Sequence, residues 1–298
     1  MERMLLSGHA KDLGGGFVVR RLLPGVQRRN VGPFIFFDHF GPVLEQPGEN
    51  HDVRAHPHIG LATVTYLFEG AMMHRDSLGT EQLIEPGALN WMTAGRGIVH
   101  SERKPLALQG RPYTNHGLQL WCALPLAHEE DAPSFRHIPA GAIPQVALPH
   151  AQVRVLAGEA FGAVSPLQPH FRTVYLDLML AAGGSLTLPP LAQELAVYPV
   201  EGEVQVDGQA APQGRMAVLP PGQGAQLAAT AGACRLVVVG GEPLDAPRFL
   251  WWNFVSSRRE RILQASADWE AQRMGEVPGE TEFIPLPQAR FAAAEPRS

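Results

Sequence analysis

Two short runs carry side chains that bind metals: His56-Pro57-His58 and His100-Ser101-Glu102. Each places two ligand-type residues at i and i+2. Side chains on a β-strand alternate faces, so residues two apart point the same way. On facing strands of a barrel, the two runs would aim four ligands into one cavity. The result would be a mononuclear site of three imidazoles and one carboxylate: His56, His58, His100 and Glu102. That donor set suits Fe, Zn, Ni, Cu or Mn better than Ca or Mg.

The surrounding sequence must supply such strands. Thr63–Leu67 and Ala88–Met92 read as short strands, with Pro-Gly and Gly-x-Gly turns between the elements. Gly95-Arg96-Gly97 reads as a tight turn that aims His100 and Glu102 inward. The pattern then repeats. Tyr66-Leu67-Phe68-Glu69-Gly70 has a counterpart in Tyr198-Pro199-Val200-Glu201-Gly202, where 198 minus 66 gives an offset of 132. Gly87, Gly95 and Gly97 correspond to Gly214, Gly222 and Gly224, where 214 minus 87 gives 127. A duplicated unit of this kind predicts an all-β chain of two tandem cupin barrels, each a double-sheet jelly roll, with a short C-terminal helix.

These offsets carry the four ligand positions to Leu188, Pro190, Leu227 and Ala229. All four are apolar, so the second copy is expected to hold no metal at the equivalent place. The expected boundaries are a metal-binding barrel over residues 1–130 and a ligand-free barrel over 145–298 that includes the helix and tail. The Pro-, Ala- and His-rich stretch from Leu126 to Pro149 reads as the linker. For the helix, Ser257 and Glu260 match a capping box, and Ile262, Leu263 and Trp269 supply an apolar stripe.

Composition limits the alternatives. The 298 residues hold 31 Gly and 27 Pro, which suits short strands and turns. A net charge of −5 argues against nucleic acid as a direct partner. No run approaches a membrane span, and the N-terminal apolar stretch is too short for a signal peptide, so a cytoplasmic protein is expected. Cys122 and Cys234 stand apart without CxxC spacing and read as buried small hydrophobes. His74 is expected to bond turn backbone or a carboxylate. His116 is read equally as cavity lining or as a structural histidine, and the remaining histidines as chemically silent.

The motifs also carry a resemblance. His56 to Gly70, His74-Arg75-Asp76-Ser77-Leu78-Gly79, Trp91 to Glu102 and His116-Gly117-Leu118-Gln119-Leu120-Trp121 resemble the pirin family. The tail Glu282-Phe283-Ile284-Pro285-Leu286-Pro287 is similar to its bacterial branch. The resemblance implies a bicupin with one mononuclear metal, usually iron, in the N-terminal barrel, with Mn, Co, Ni, Cu or Zn as other occupants. Its ligands map onto His56, His58, His100 and Glu102. The wider cupin pattern has a Glu shortly after H-x-H. Here Ala62 and Thr63 occupy that region and Glu102 supplies the carboxylate, as in pirins.

The resemblance also implies a function. Some bacterial members have quercetin 2,3-dioxygenase activity, in which a flavonol reacts with dioxygen and its ring opens with loss of carbon monoxide. Glu102 is then the expected catalytic base for the flavonol hydroxyl. Trp91, Met92, Phe68 and Leu120 are candidates for an apolar wall, and Gln119 for an amide contact. A second reading is a metal-dependent binding or redox-sensor protein that regulates a protein partner. A purely structural metal ranks last, because closed structural zinc sites are usually rich in Cys.

Overall fold

The computed structural model describes residues 4–13, 16–49, 51–230, 232–289 and 291. The described residues are all-β apart from one α-helix, Arg259–Glu270, and three short 3-10 turns. The chain divides into two compact units, and the described strands form two seven-stranded sheets, two four-stranded sheets and two two-stranded ribbons. No helix among the described residues is long and apolar enough to cross a membrane.

One unit contains Lys11–Val19, Asp38–His137 and Asp245–Ser298. Its four-stranded sheet holds Val53–His58 (the HPH strand) and Ile98–Arg103 (the HSE strand), with Met72–Asp76 and Glu81–Ile84 beyond the latter. Its seven-stranded sheet runs through Ser134–Ile138, Leu89–Thr93, Leu61–Glu69 and Tyr113–Ala123 in that spatial order. The stretch read as a linker thus contributes an edge strand here, Ser134–Ile138, and a second strand, Gln145–Leu148, to the other unit.

The helix and tail, grouped by sequence with the second barrel, pack in the unit that carries the HPH and HSE strands. Ile262, Ala265 and Trp269 join Ala55, Ile59, Val99 and Phe254 in one buried cluster. Glu129, itself buried, accepts hydrogen bonds from the Ser257 backbone N–H (2.9 Å) and hydroxyl (2.8 Å) and pairs with buried Arg248 at 2.7 Å. Ser257 therefore does not cap the helix. The N-cap is Arg258, without a side-chain cap, one residue later than the capping-box reading. Leu263 is exposed and Ala265 takes its place in the stripe, because positions 262, 265 and 269 share a face at helical spacing.

The other unit contains Met1–Ala10, Arg20–Phe37 and Ile138–Leu244. Met4–Ser7 pairs with Arg215–Val218 at the edge of its large sheet and buries Leu6. The first strand of the chain thus belongs to this barrel, although sequence order suggested otherwise. The barrel interior is a continuous apolar core that includes Leu186, Leu188, Leu227 and Ala229. Cys122 and Cys234 are buried and unpaired, as read from their spacing.

Strand pairing corrects the alignment of the two copies. In the first barrel His58 lies opposite Ile98 and His56 opposite His100. In the second, Leu188 lies opposite Ala225 and Leu186 opposite Leu227. Leu186 and Leu188 are therefore the counterparts of His56 and His58, two residues earlier than the offset of 132 indicated. The difference falls in the turn after the strand, where length changes are tolerated. All the equivalent positions remain apolar.

Candidate metal centre

The HPH and HSE strands pair antiparallel, with His100 directly opposite His56. The Pro between the two histidines points to the opposite face and costs no ligand. Gly60 ends the HPH strand at φ +67, and a Cβ there would lie 1.9 Å from the Val255 carbonyl oxygen. Only glycine allows that approach. Gly95 and Gly97 adopt positive φ in the turn that leads into the HSE strand, as the sequence indicated.

The fold brings His56, His58 and His100 together. Their ring centroids are 5.0 Å (56 to 58), 4.3 Å (56 to 100) and 5.0 Å (58 to 100) apart. One donor atom from each lies within 4.8 Å of the others. All three are buried. Burial penalises the charged form and lowers His56 to about 4, with His58 and His100 also held well below the usual range. The three rings are therefore neutral at pH 7, which leaves lone pairs available for a metal.

The hydrogen bonds sort those lone pairs. His56 Nδ1 donates to the Arg54 carbonyl at 2.8 Å, which leaves Nε2 as the free acceptor. Buried His100 Nε2 and His58 Nδ1 have no hydrogen-bond partner. An orphaned buried polar atom is costly. Two such atoms, on two of three clustered neutral imidazoles, fit a transition metal.

Behind His100 stands His74, Nδ1 to Nδ1 at 3.4 Å. His74 Nε2 donates to Asp76 Oδ2 at 3.1 Å, a carboxylate, one of the two kinds of partner expected for it. Burial raises Asp76, but hydrogen bonds from His74 and Thr80 outweigh it and hold the carboxyl below its ordinary range. Phe135 stacks on His74 with centroids 4.3 Å apart. On another side, Trp121 meets His58 edge-on at 5.2 Å. Sequence reasoning missed both contacts, since nothing in local spacing links residues 74 and 100 or 58 and 121.

Glu102 lies two residues beyond His100 on the same strand, but its carboxylate is not among the atoms that converge within 4.8 Å. The pairing register shifts between His100 and Glu102. Burial raises the Glu102 carboxyl to about 7. Its side chain lines a small cleft with Glu45, His51, Asp52, Met72 and Tyr113.

Strand alternation also sorts the expected wall residues. Trp121, Thr63 and Met92 form one cross-strand row. Since Trp121 touches His58, this row and the Gln119–Thr65–Asn90 row two residues on share the histidine side. Trp91, Phe68 and Leu120 fall on the opposite face. His116 does too, and its Nε2 lies 2.8 Å from that of His39, so it is a structural histidine and not cavity lining. Gln119 accepts a hydrogen bond from Thr65 at 2.8 Å.

Comparison with known proteins agrees with this architecture. Residues 16–122 match the Pirin family model and residues 175–275 match the model of the Pirin C-terminal cupin domain. A pirin-like protein of Caulobacter vibrioides is 45% identical over 97% of this chain and 100% of its own length. Mouse pirin is 35% identical over 88% of this chain and 89% of its own. A crystal structure of quercetin 2,3-dioxygenase from Acinetobacter baumannii superposes with a TM-score of 0.90 at 34% identity, covering 98% of this chain and 97% of that one. The chain belongs to the pirin family.

Proposed function

We propose that this protein is a metal-dependent dioxygenase that cleaves a flavonol such as quercetin. The observation that carries the reading is the trio of buried, neutral imidazoles with two orphaned nitrogens. It is supported by end-to-end similarity to a structure described as a quercetin 2,3-dioxygenase.

His56, His58 and His100 would hold the ion, with Glu102 as the fourth protein ligand. When bound, the metal supplies Lewis acidity toward a substrate hydroxyl and one-electron chemistry toward dioxygen. Iron is the occupant that family membership favours.

The residues around the ion do the rest. Glu102, the carboxylate beside the three imidazoles, would accept the proton of a phenolic hydroxyl. The small cleft beside Glu102, walled in part by Met72 and Tyr113, would give the substrate its approach. Trp121, packed on His58, keeps water from that side of the imidazoles.

The test is direct. Protein loaded in turn with Fe, Mn, Co, Ni or Cu is mixed with quercetin in air. Loss of the flavonol absorbance with release of carbon monoxide is expected, and His100→Ala should abolish both. No turnover with any metal across a flavonol panel would overturn the proposal.

A further inference from the structure

The HSE strand has two faces. His100 and Glu102 share one, so Ser101 and Arg103 share the other. On that outer face lies the tail of the chain. The Glu280 carboxylate accepts hydrogen bonds from Ser101 Oγ at 2.8 Å and from Arg103 Nε at 3.1 Å, and pairs with Arg103 Nη2. Ser101 is fully buried, and the Glu280 side chain is only 8% exposed.

Four residues on, the tail meets the other ligand strand. The Ile284 N–H donates to the Ala55 carbonyl at 2.8 Å, and Phe283 bridges Ala55 in parallel. Ala55 lies where the two ligand strands lose register. His100 pairs with His56 but Glu102 pairs with Val53, so a step of two residues on one strand faces a step of three on the other. The extra residue leaves backbone groups without a partner in the ladder. The tail takes up one of them. The helix holds the tail in turn: Trp269 Nε1 donates to the Ile284 carbonyl at 2.9 Å, and the Trp269 ring meets Phe283 edge-on at 5.7 Å.

We propose that Glu280 is a positioning residue for the metal centre: by gripping Ser101 and Arg103, the neighbours of Glu102 on either side, it sets where the Glu102 carboxylate stands relative to the three imidazoles. The inference rests on the reading of Glu102 as the fourth ligand. Beyond His100 the HSE strand is out of step with the HPH strand on one side, while on the other it stays in register with Met72–Asp76, Glu102 opposite His74. The Glu280 contacts brace the strand on its bulged side. Partners that bond a ligand directly contribute about 10–100-fold to metal affinity; Glu280 acts through the ligand's neighbours, so a loss at the lower end is expected.

The test uses metal-free full-length protein titrated with Co(II) against a competing chelator, with the visible Co(II) bands as a second readout. Glu280→Ala should weaken Co(II) about tenfold and shift the bands. Glu102→Gln should weaken Co(II) as well. In the Glu102→Gln background, Glu280→Ala should add no further loss, because the two act as one unit. Glu280→Gln keeps an acceptor for Ser101 and loses the ion pair, so it should lie between parent and Glu280→Ala. It also carries the test if Glu280→Ala does not fold. Parent-like affinity and bands in both Glu280 variants would overturn the proposal. So would an equal loss from Glu280→Ala in both backgrounds, the result of a merely structural role. Parent-like binding by Glu102→Gln would instead remove the ligand reading beneath it.

Discussion

His74 and His100 face each other Nδ1 to Nδ1 at 3.4 Å, and His74 is held from behind by Asp76. Because His74 Nε2 donates to the carboxylate, its Nδ1 is an acceptor, and His100 must donate from Nδ1. That choice of tautomer leaves the His100 Nε2 lone pair free. His74→Phe keeps the ring that stacks on Phe135 and removes the acceptor. It should weaken metal binding about tenfold, measured by chelator competition, while the circular dichroism of the metal-free protein stays that of the parent.

The Glu102 carboxyl imposes a pH dependence on the metal-free protein. Its folded value is about 7 against an ordinary 4.5. Below pH 4.5 both folded and unfolded chains hold the proton. Between 4.5 and 7 the folded chain holds a proton that the unfolded chain has lost, so this contribution to stability falls as pH rises. His56, lowered from 6.5 to about 4, acts in the opposite sense across that range and is common to parent and variant. Glu102→Gln should therefore gain stability relative to the parent as pH rises from 4.5 to 7. Parallel urea midpoints across that window would contradict it.

Glu129 ties the C-terminal segment to its barrel through Arg248 and Ser257. Removing the carboxylate leaves a buried guanidinium with Asp245 as its remaining anion. Glu129→Ala should cost about 3 kcal/mol in urea unfolding, the lower end of the range for breaking a buried pair.

The second barrel offers the contrasting case. Leu227 is fully buried at the place His100 occupies in the first. Leu227→Ala should destabilise by about 2–5 kcal/mol through cavity formation. Elemental analysis of the folded variant should show unchanged metal content.

The His-Pro-His and His-Ser-Glu runs and the barrel class were legible in the sequence because both depend on local rules. An i, i+2 spacing fixes a shared face once a strand forms, and turn residues recur wherever short strands must reverse. Apolar replacement in the second copy was legible for the same reason, although its exact register was not. An insertion in a turn shifts alignment by residues that only strand pairing can count, which is why Leu186 and not Pro190 turned out to mirror a histidine.

What the sequence alone determined is which side chains can act together: His56, His58 and His100 on two short strands, with Glu102 two residues on. The tertiary structure decided what surrounds them. It set Asp76 and His74 behind His100, Trp121 against His58, and Glu280 across the back of the strand that carries Glu102. It also assigned the helix and tail to the first barrel and the opening strand to the second. These contacts join residues far apart in the chain. Burial, register and hydrogen-bond satisfaction select them only after the sheets have closed, so no local pattern records them.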